Sequence, residues 1–431
     1  MTTLMWICYS ERPLQVDELC HALAVEVGSE YFNSDNVPAI ETLLACCHGL
    51  VTVDKEASIA RLIHHTLSEY LTARDDLFPE AHSAMAEACL TYLNSDQTKV
   101  PSAKPKPDLS SMPFLKYCSR YWGTHAKREF SNRVMALAMK LLDQYENRLA
   151  SSTLFEQIMD QDYPLEVNSP PLFSGLHCAS FFGIVEAMTA LLGMNGSDVN
   201  RADSAGMTPL AWAARDGQEQ AVGILLRQEA VDRDKPDNEG LTPLSWAAKE
   251  GHELVVKQLL DQEDVNPDRP NKEGRTPLWW AAVGGHESVV KQLLDQEDVN
   301  PNRSDNEGRT PLSCAGICQY ESVVKQLLDR KDLSPDKPDN EGKTPLWWAA
   351  MCGGESVVEH LLGREDISPN KPDDEGRTPL WCAATMGYES VVNQLLDRRD
   401  VNPDIPDNEG DTPLLRAAIN GYELVVKQLL D

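Results

Sequence analysis

The residues of this 431-residue chain best suited to chemistry are its ten His, its eleven Cys and a lysine set between glycine and threonine. Gly342-Lys343-Thr344 has the tail of G-x-x-x-x-G-K-[ST], a loop whose backbone N–H groups and lysine cradle phosphates. Lys337 stands where the first glycine is required, and the same slot reads Gly308-Arg309-Thr310 earlier in the chain, so the segment reads as a turn. Cys46 beside Cys47, and Cys314 near Cys318, match no zinc or disulfide framework, and reduced thiols are expected. His252, His286 and His360 lack any Ser/His/Asp or Cys/His motif context. The chain therefore reads as a non-enzyme with no catalytic residue, no cofactor and no metal site.

Composition narrows the partners. With 68 Asp and Glu against 39 Lys and Arg, the net charge is −29, which argues against nucleic acid, because phosphate binding needs a concentrated basic surface. No run approaches the roughly 18 apolar residues of a membrane span, and no secretory leader pattern is present. A small-molecule ligand is not expected either. A cytoplasmic protein is expected, with the nucleus as the alternative, whose partner is another protein or a peptide.

The elements that would present such a partner are written in repeats. Thr-Pro-Leu starts at Thr208, Thr242, Thr276, Thr310, Thr344, Thr378 and Thr412, a constant step of 34 residues, and Ser174-Gly175-Leu176 marks one degenerate copy before them. A fixed period of this size marks a solenoid, because each unit cannot bury its apolar face alone. Thr276 can cap a helix and Pro277 suits its first position. That helix stops near Gly284 and Gly285. Glu287 to Asp295 then supplies a second helix with Val289, Val290, Leu293 and Leu294 on one face, and Asn306, Glu307 and Gly308 turn the chain through an extended finger.

In these residues the chain resembles ankyrin repeats from about Pro171 to Asp431: eight copies, the first degenerate and the last uncapped. The family's usual His after Thr-Pro-Leu survives only as His177, and is elsewhere Ala211, Ser245, Trp279, Ser313, Trp347, Trp381 and Leu415. The resemblance implies a protein-binding scaffold that carries no catalytic residues.

Ahead of the repeats, Leu14, Leu19, Ala22 and Leu23 mark one helix and Ile40, Leu43, Leu44 and Cys47 another. Two short strands, Leu50 to Val53 and Ile59 to Ile63, follow, and Thr66-Leu67-Ser68-Glu69 reads as a capping box opening a third helix. Helix, helix, hairpin, helix over 1–77 is a winged-helix layout. Helical stretches at Glu80 to Leu93 and Asn132 to Gln157 fill 78–170 around a Pro-, Ser- and Lys-rich loop at 95–112. The fold class is thus mainly α: an ankyrin-repeat solenoid preceded by a winged-helix domain and a small helical region.

Ser10-Glu11-Arg12-Pro13-Leu14, Gly49 to Asp54, Arg61 to Thr66 and Glu69-Tyr70-Leu71 resemble the segment after the NACHT domain in fungal NLR-like (STAND) proteins with ankyrin tails. The resemblance implies an upstream phosphate-binding loop that this sequence does not contain, so no ATP or GTP binding is expected. It also puts His64 where relatives sense a bound diphosphate. A winged helix can instead bind DNA through its recognition helix, but Ile40 to Cys47 carries Glu41 and no Arg or Lys.

Variation among the copies points to a face. Glu253 to Asp261 recurs letter for letter as Glu423 to Asp431, whereas the ends of the first helices differ from copy to copy. At 100° per residue, Leu210, Ala213 and Ala214 share one side and positions 211, 212, 215 and 216 point away from it. In the ankyrin family this stripe and the fingers line a concave binding face. Trp280, Val283, Ile317, Cys318, Trp348, Met351, Cys352 and Met386 would form its apolar floor, and Arg269, Arg303 and Lys337 a cationic column on the fingers. The expected role is a non-catalytic scaffold, the recognition and regulatory arm of a fungal NLR-like signalling protein. One alternative is an in-trans subunit of a nucleotide-gated NACHT switch. Another is a ubiquitin-ligase substrate adaptor, for which no box motif is visible.

Overall fold

A computed structural model describes residues 1–29, 31–54, 56–74, 76–99, 109–159, 172–194 and 197–431. The chain forms two compact units, Met1–Ala213 with Gln218–Val231, and Ala214–Gly217 with Asp232–Asp431.

The first unit opens with α1 (Thr2–Tyr9), α2 (Val16–Ala24), α3 (Ile40–Cys46), the antiparallel hairpin β1 (Val51–Asp54) and β2 (Ile59–Leu62), and α4 (His65–Thr72). The capping of α4 differs from expectation. Its N-cap is His64, whose Nδ1 accepts from the Thr66 N–H at 3.2 Å, so the helix starts one residue before Thr66. Helices α5 (Ala81–Asn94), α6 (Leu115–Arg128), α7 (Asn132–Leu142) and α8 (Leu149–Met159) follow. The expected helix Asn132 to Gln157 is therefore two helices, parted by a 3-10 turn at Tyr145–Asn147. Of the 95–112 loop, residues 100–108 lie outside the described residues, as do 160–171 with the expected boundary at 170–171.

Large aromatics hold these helices together. Trp6 of α1 meets Phe114 edge-on at 5.4 Å, and Phe114 stacks on Tyr117 at 5.6 Å. Trp122 of α6 packs edge-on against Phe182 of the first repeat at 5.3 Å, and Gly123 beside it admits no side chain, since a Cβ there would lie 2.2 Å from the Phe182 ring.

His177, the one family histidine, is fully buried in the first helix of that repeat. Its Nδ1 accepts from the Ser174 N–H at 3.1 Å, and its Nε2 faces the Arg201 and Met207 carbonyls at 2.9 and 3.1 Å, which fixes the neutral Nε2–H tautomer. Burial pulls its pKa down to about 4, against the partial opposition of those carbonyl bonds. The unfolded chain, titrating near 6.5, then binds the proton more readily than the folded one, so stability falls as pH drops from about 6.5 toward 4. Between pH 7 and pH 5 this contribution should amount to about 2 kcal/mol in urea unfolding. His177→Gln should flatten that part of the profile, and an unchanged slope in the variant would exclude His177 as its source.

In the second unit every repeat obeys one rule set. Thr242, Thr276, Thr310, Thr344, Thr378 and Thr412 each accept a backbone N–H three residues on, and proline occupies the first turn. First helices such as Pro277–Gly284 pack against the first helices of neighbouring repeats and against their own second helix, here Glu287–Leu294. Fingers join by a backbone rung from each repeat to the next: Asn306 N–H to Glu273 carbonyl at 2.8 Å, then Asn340 to Glu307, Asp374 to Glu341 and Asn408 to Glu375.

A second contact recurs where first helices end. Gly217, Gly251, Gly285, Gly353 and Gly387 take positive φ, and over each lies a ring from the following repeat: His252, His286, Tyr320, Tyr388 and Tyr422. At one step both halves change together. Gln319 replaces the glycine at φ 61°, Gly354 replaces the ring, and Gln319 Nε2 reaches forward to the Cys352 carbonyl at 2.5 Å.

Candidate functional site

Leu278, Ala281 and Ala282 are fully buried, as are their equivalents in the central repeats, while the two residues after each Ala-Ala position stay accessible. Val283, Ile317, Met351 and Cys352 are half-buried, and Cys318 and Met386 are exposed, the latter at 39 %. Burial pushes the thiols of Cys318 and Cys352 up, so neither is an activated nucleophile.

The expected phase of the stripe is corrected one turn earlier. Ala211 and Trp212, read as outward, are fully buried, and Trp246 is too. Packing on both flanks and from the second helix leaves a first helix only its last turn open, so a single-face argument assigns too much to the surface. Trp280 and Trp348 are half-buried in the same column. Trp348 joins the core of Trp347, Trp381 and Cys382, and its Nε1 donates to Asp339 at 2.9 Å. These two indoles are wedges between repeats, so their truncation reports on stability as well as on a partner.

Behind them runs an arrangement that sequence reasoning missed. An acidic residue nine positions before the indole site, Asp237 or Asp339, organises the finger. Its Oδ1 accepts two backbone N–H groups, from Glu239 at 2.9 Å and Leu241 at 2.8 Å for Asp237, and its Oδ2 accepts the Trp246 indole at 3.0 Å. Where the indole is replaced by Cys314 or Cys382, Arg309 or Arg377 takes the free oxygen of Asp305 or Asp373 at 3.0 and 2.7 Å. Where both an arginine and an indole are present, Arg275 and Trp280, the residue is Asn271. Its Oδ1 keeps the two backbone bonds, and the Trp280 Nε1 has no partner among the described residues. The signal was visible as fixed offsets of four and nine residues. The bases lie over the indoles: Lys249 Nζ is 5.4 Å from the Trp280 ring, Arg275 5.3 Å from it, and Lys343 4.9 Å from Trp348.

The cationic column on the fingers also has a task inside the array. Arg269 donates to the carbonyl and carboxylate of Asp234 at 3.0 and 2.8 Å, Arg303 to those of Asp268 at 3.2 and 3.1 Å, and Lys337 to the Asn302 carbonyl at 2.8 Å. Each cation thus ties its finger to the one before. Lys343 of the loop-like Gly342-Lys343-Thr344 pairs with Glu341, and Thr344 caps the helix that follows, which makes this segment a finger turn.

Repeated Thr-Pro caps, paired antiparallel helices and finger rungs define the array, and a family model for ankyrin repeats (three copies) matches residues 176–271, 255–339 and 357–431. The chain belongs to the ankyrin-repeat family. Ahead of the repeats, a model described as the winged helix domain of GPI inositol-deacylase matches residues 1–85. Among solved structures, the human ASB11 ankyrin repeat domain aligns with 22 % identity over 52 % of this chain and 98 % of that one, at a TM-score of 0.45. No curated protein matches the chain. The ankyrin repeats give the protein a protein–protein interaction role, and the matched families indicate no catalytic one. Among the described residues no helix is long and apolar enough to cross a membrane.

Proposed function

We propose that the protein recognises another protein through the last turns of the first helices in its central repeats, as the recognition arm of an NLR-like signalling protein. The observation that carries this is the accessible apolar row Val283, Ile317, Cys318, Met351, Cys352 and Met386, one or two residues per repeat, on helices that are otherwise closed. Soft, adaptable side chains such as Met suit a partner's own apolar surface. The NLR-like context is supported by the winged-helix match over residues 1–85, ahead of the helical region and the repeats. Arg269, Arg303 and Lys337 contribute by holding the fingers in register beside this row.

The test uses the two exposed positions of the row. Cys318→Glu with Met386→Glu should abolish capture of the partner that the unaltered chain retains, at least a tenfold loss, because an unpaired charge in an apolar contact costs more than the ~1.4 kcal/mol of a decade. Thermal unfolding should move little. Retained capture with both substitutions would place the binding face elsewhere.

A further inference from the structure

Three chemistry-bearing side chains meet in the first unit without serving the repeats. Glu11 lies between α1 and α2, His82 opens α5 and His125 sits in α6. One ligating atom of each falls within 4.8 Å of the other two. The Nδ1 atoms of the two histidines face each other at 2.9 Å, and a Glu11 carboxylate oxygen is 3.9 Å from the His125 Nδ1.

His125 is fully buried, and its other nitrogen, Nε2, is 2.9 Å from the Tyr117 hydroxyl, which also accepts the Glu11 N–H at 3.2 Å. With Nε2–H donating to that hydroxyl, the His125 Nδ1 presents a lone pair toward His82 and Glu11. Burial, with His82 and Arg128 beside it, holds His125 neutral down to about pH 3. A fixed tautomer set by a partner on the far nitrogen is what orients an imidazole as a metal ligand. Charge is balanced now by Arg128. Its guanidinium takes both Glu11 carboxylate oxygens, at 2.5 and 3.1 Å, and lies 3.5 Å from the His82 Nε2, yet its side chain is 48 % exposed and free to swing to solvent.

We propose that Glu11, His82 and His125 form a binding site for a divalent transition metal of the zinc class, with Arg128 as the cation the metal displaces. The donor set, two neutral imidazoles and one carboxylate, is that of three-ligand zinc sites, which leave the fourth position to water. Tetrahedral zinc at ~2.0–2.1 Å from nitrogen needs the two Nδ1 atoms about 3.3 Å apart, so the pair widens by a few tenths of an ångström and the proton between them moves to the Nε2 of His82, which Arg128 vacates. The metal would join the α1–α2 connection to α5 and α6, three segments that otherwise meet through hydrogen bonds and aromatic packing.

The experiment is cobalt(II) titration of the full chain, free of any affinity tag, followed by the visible d–d absorption of tetrahedral cobalt and reversed by zinc. Binding should appear with one equivalent, fall about 100-fold or more in His82→Ala and in Glu11→Gln, and tighten about tenfold in Arg128→Ala, because removing the competing cation favours the metal. Glu11→Gln keeps the size of the side chain and guards against a folding defect in His82→Ala; circular dichroism without metal checks both. No tetrahedral spectrum, or titrations of the three variants identical to the unaltered chain, would overturn the proposal and leave a hydrogen-bond cluster only.

Discussion

Asp237→Ala is expected to cost the repeat array about 4 kcal/mol, and Asp237→Asn about half as much. The carboxylate is buried and satisfies at least three donors: the Glu239 and Leu241 N–H groups on one oxygen and the Trp246 indole on the other. Alanine strands all three, at roughly 1–3 kcal/mol for each buried donor left unpaired, less what water recovers at the finger. Asparagine keeps the two backbone bonds but turns an amide N–H₂ toward an indole N–H. The chain already sets an asparagine, Asn271, nine residues before Trp280, whose indole N–H has no partner among the described residues. The reverse change, Asn271→Asp, should therefore stabilise the array by about 1 kcal/mol. Urea unfolding of the three variants decides the matter, and an Asp237→Asn variant as stable as the original chain would remove the indole bond from the account.

Gly387→Ala should cost about 3 kcal/mol, whereas Gly421→Ala should cost about 1. Both glycines end a first helix at almost the same positive φ, 76° and 77°, so the backbone penalty is common to them. They differ in what lies above. A Cβ on Gly387 would stand 2.6 Å from the Tyr422 ring, and one on Gly421 would meet nothing within 4 Å. The difference between the two variants measures the ring contact alone. Gly387→Gln should be rescued in part by adding Tyr422→Gly, because Gln319 and Gly354 already form that pair. Equal losses in the two alanine variants would mean that the ring moves aside at no cost.

Much of the fold was legible because caps and breakers recur in phase: Thr-Pro fixes where each first helix starts, and the glycine after it fixes where it stops. The N-terminal region was less so. Helix α1 starts at the chain's first residues without a side-chain cap, and α6, although Leu115, Cys118, Trp122 and Ala126 fall on one face at helical spacing, starts after Phe114 with no side-chain cap either, so neither opens on the start signal that the repeats supply. The candidate face was half legible. Internal variation pointed to Val283, Ile317, Met351 and Met386, which are accessible, but helical phase alone could not show that Trp280 meets Lys249 of the preceding repeat and that Trp348 joins Trp381 and Cys382 of the following one. The finger cations and the Asp–indole–arginine exchange were present as fixed offsets, yet which oxygen each donor reaches is a matter of three-dimensional geometry. His82 and His125 are 43 residues apart and come together only because α5 packs on α6.

From Gly217 onward the glycine-and-ring contact is split across repeat boundaries, the glycine ending one copy's first helix and the ring opening the next copy's second helix. Copies can therefore be duplicated, deleted or exchanged wherever a glycine ends up beneath His or Tyr, and the new junction closes like the old ones. The step from Gln319 to Gly354 is the exception. A copy inserted there would set a Tyr or His over Gln319, or leave Gly354 above a bare glycine, so the fifth and sixth repeats are bound to be inherited as a pair while the others around them are free to change in number.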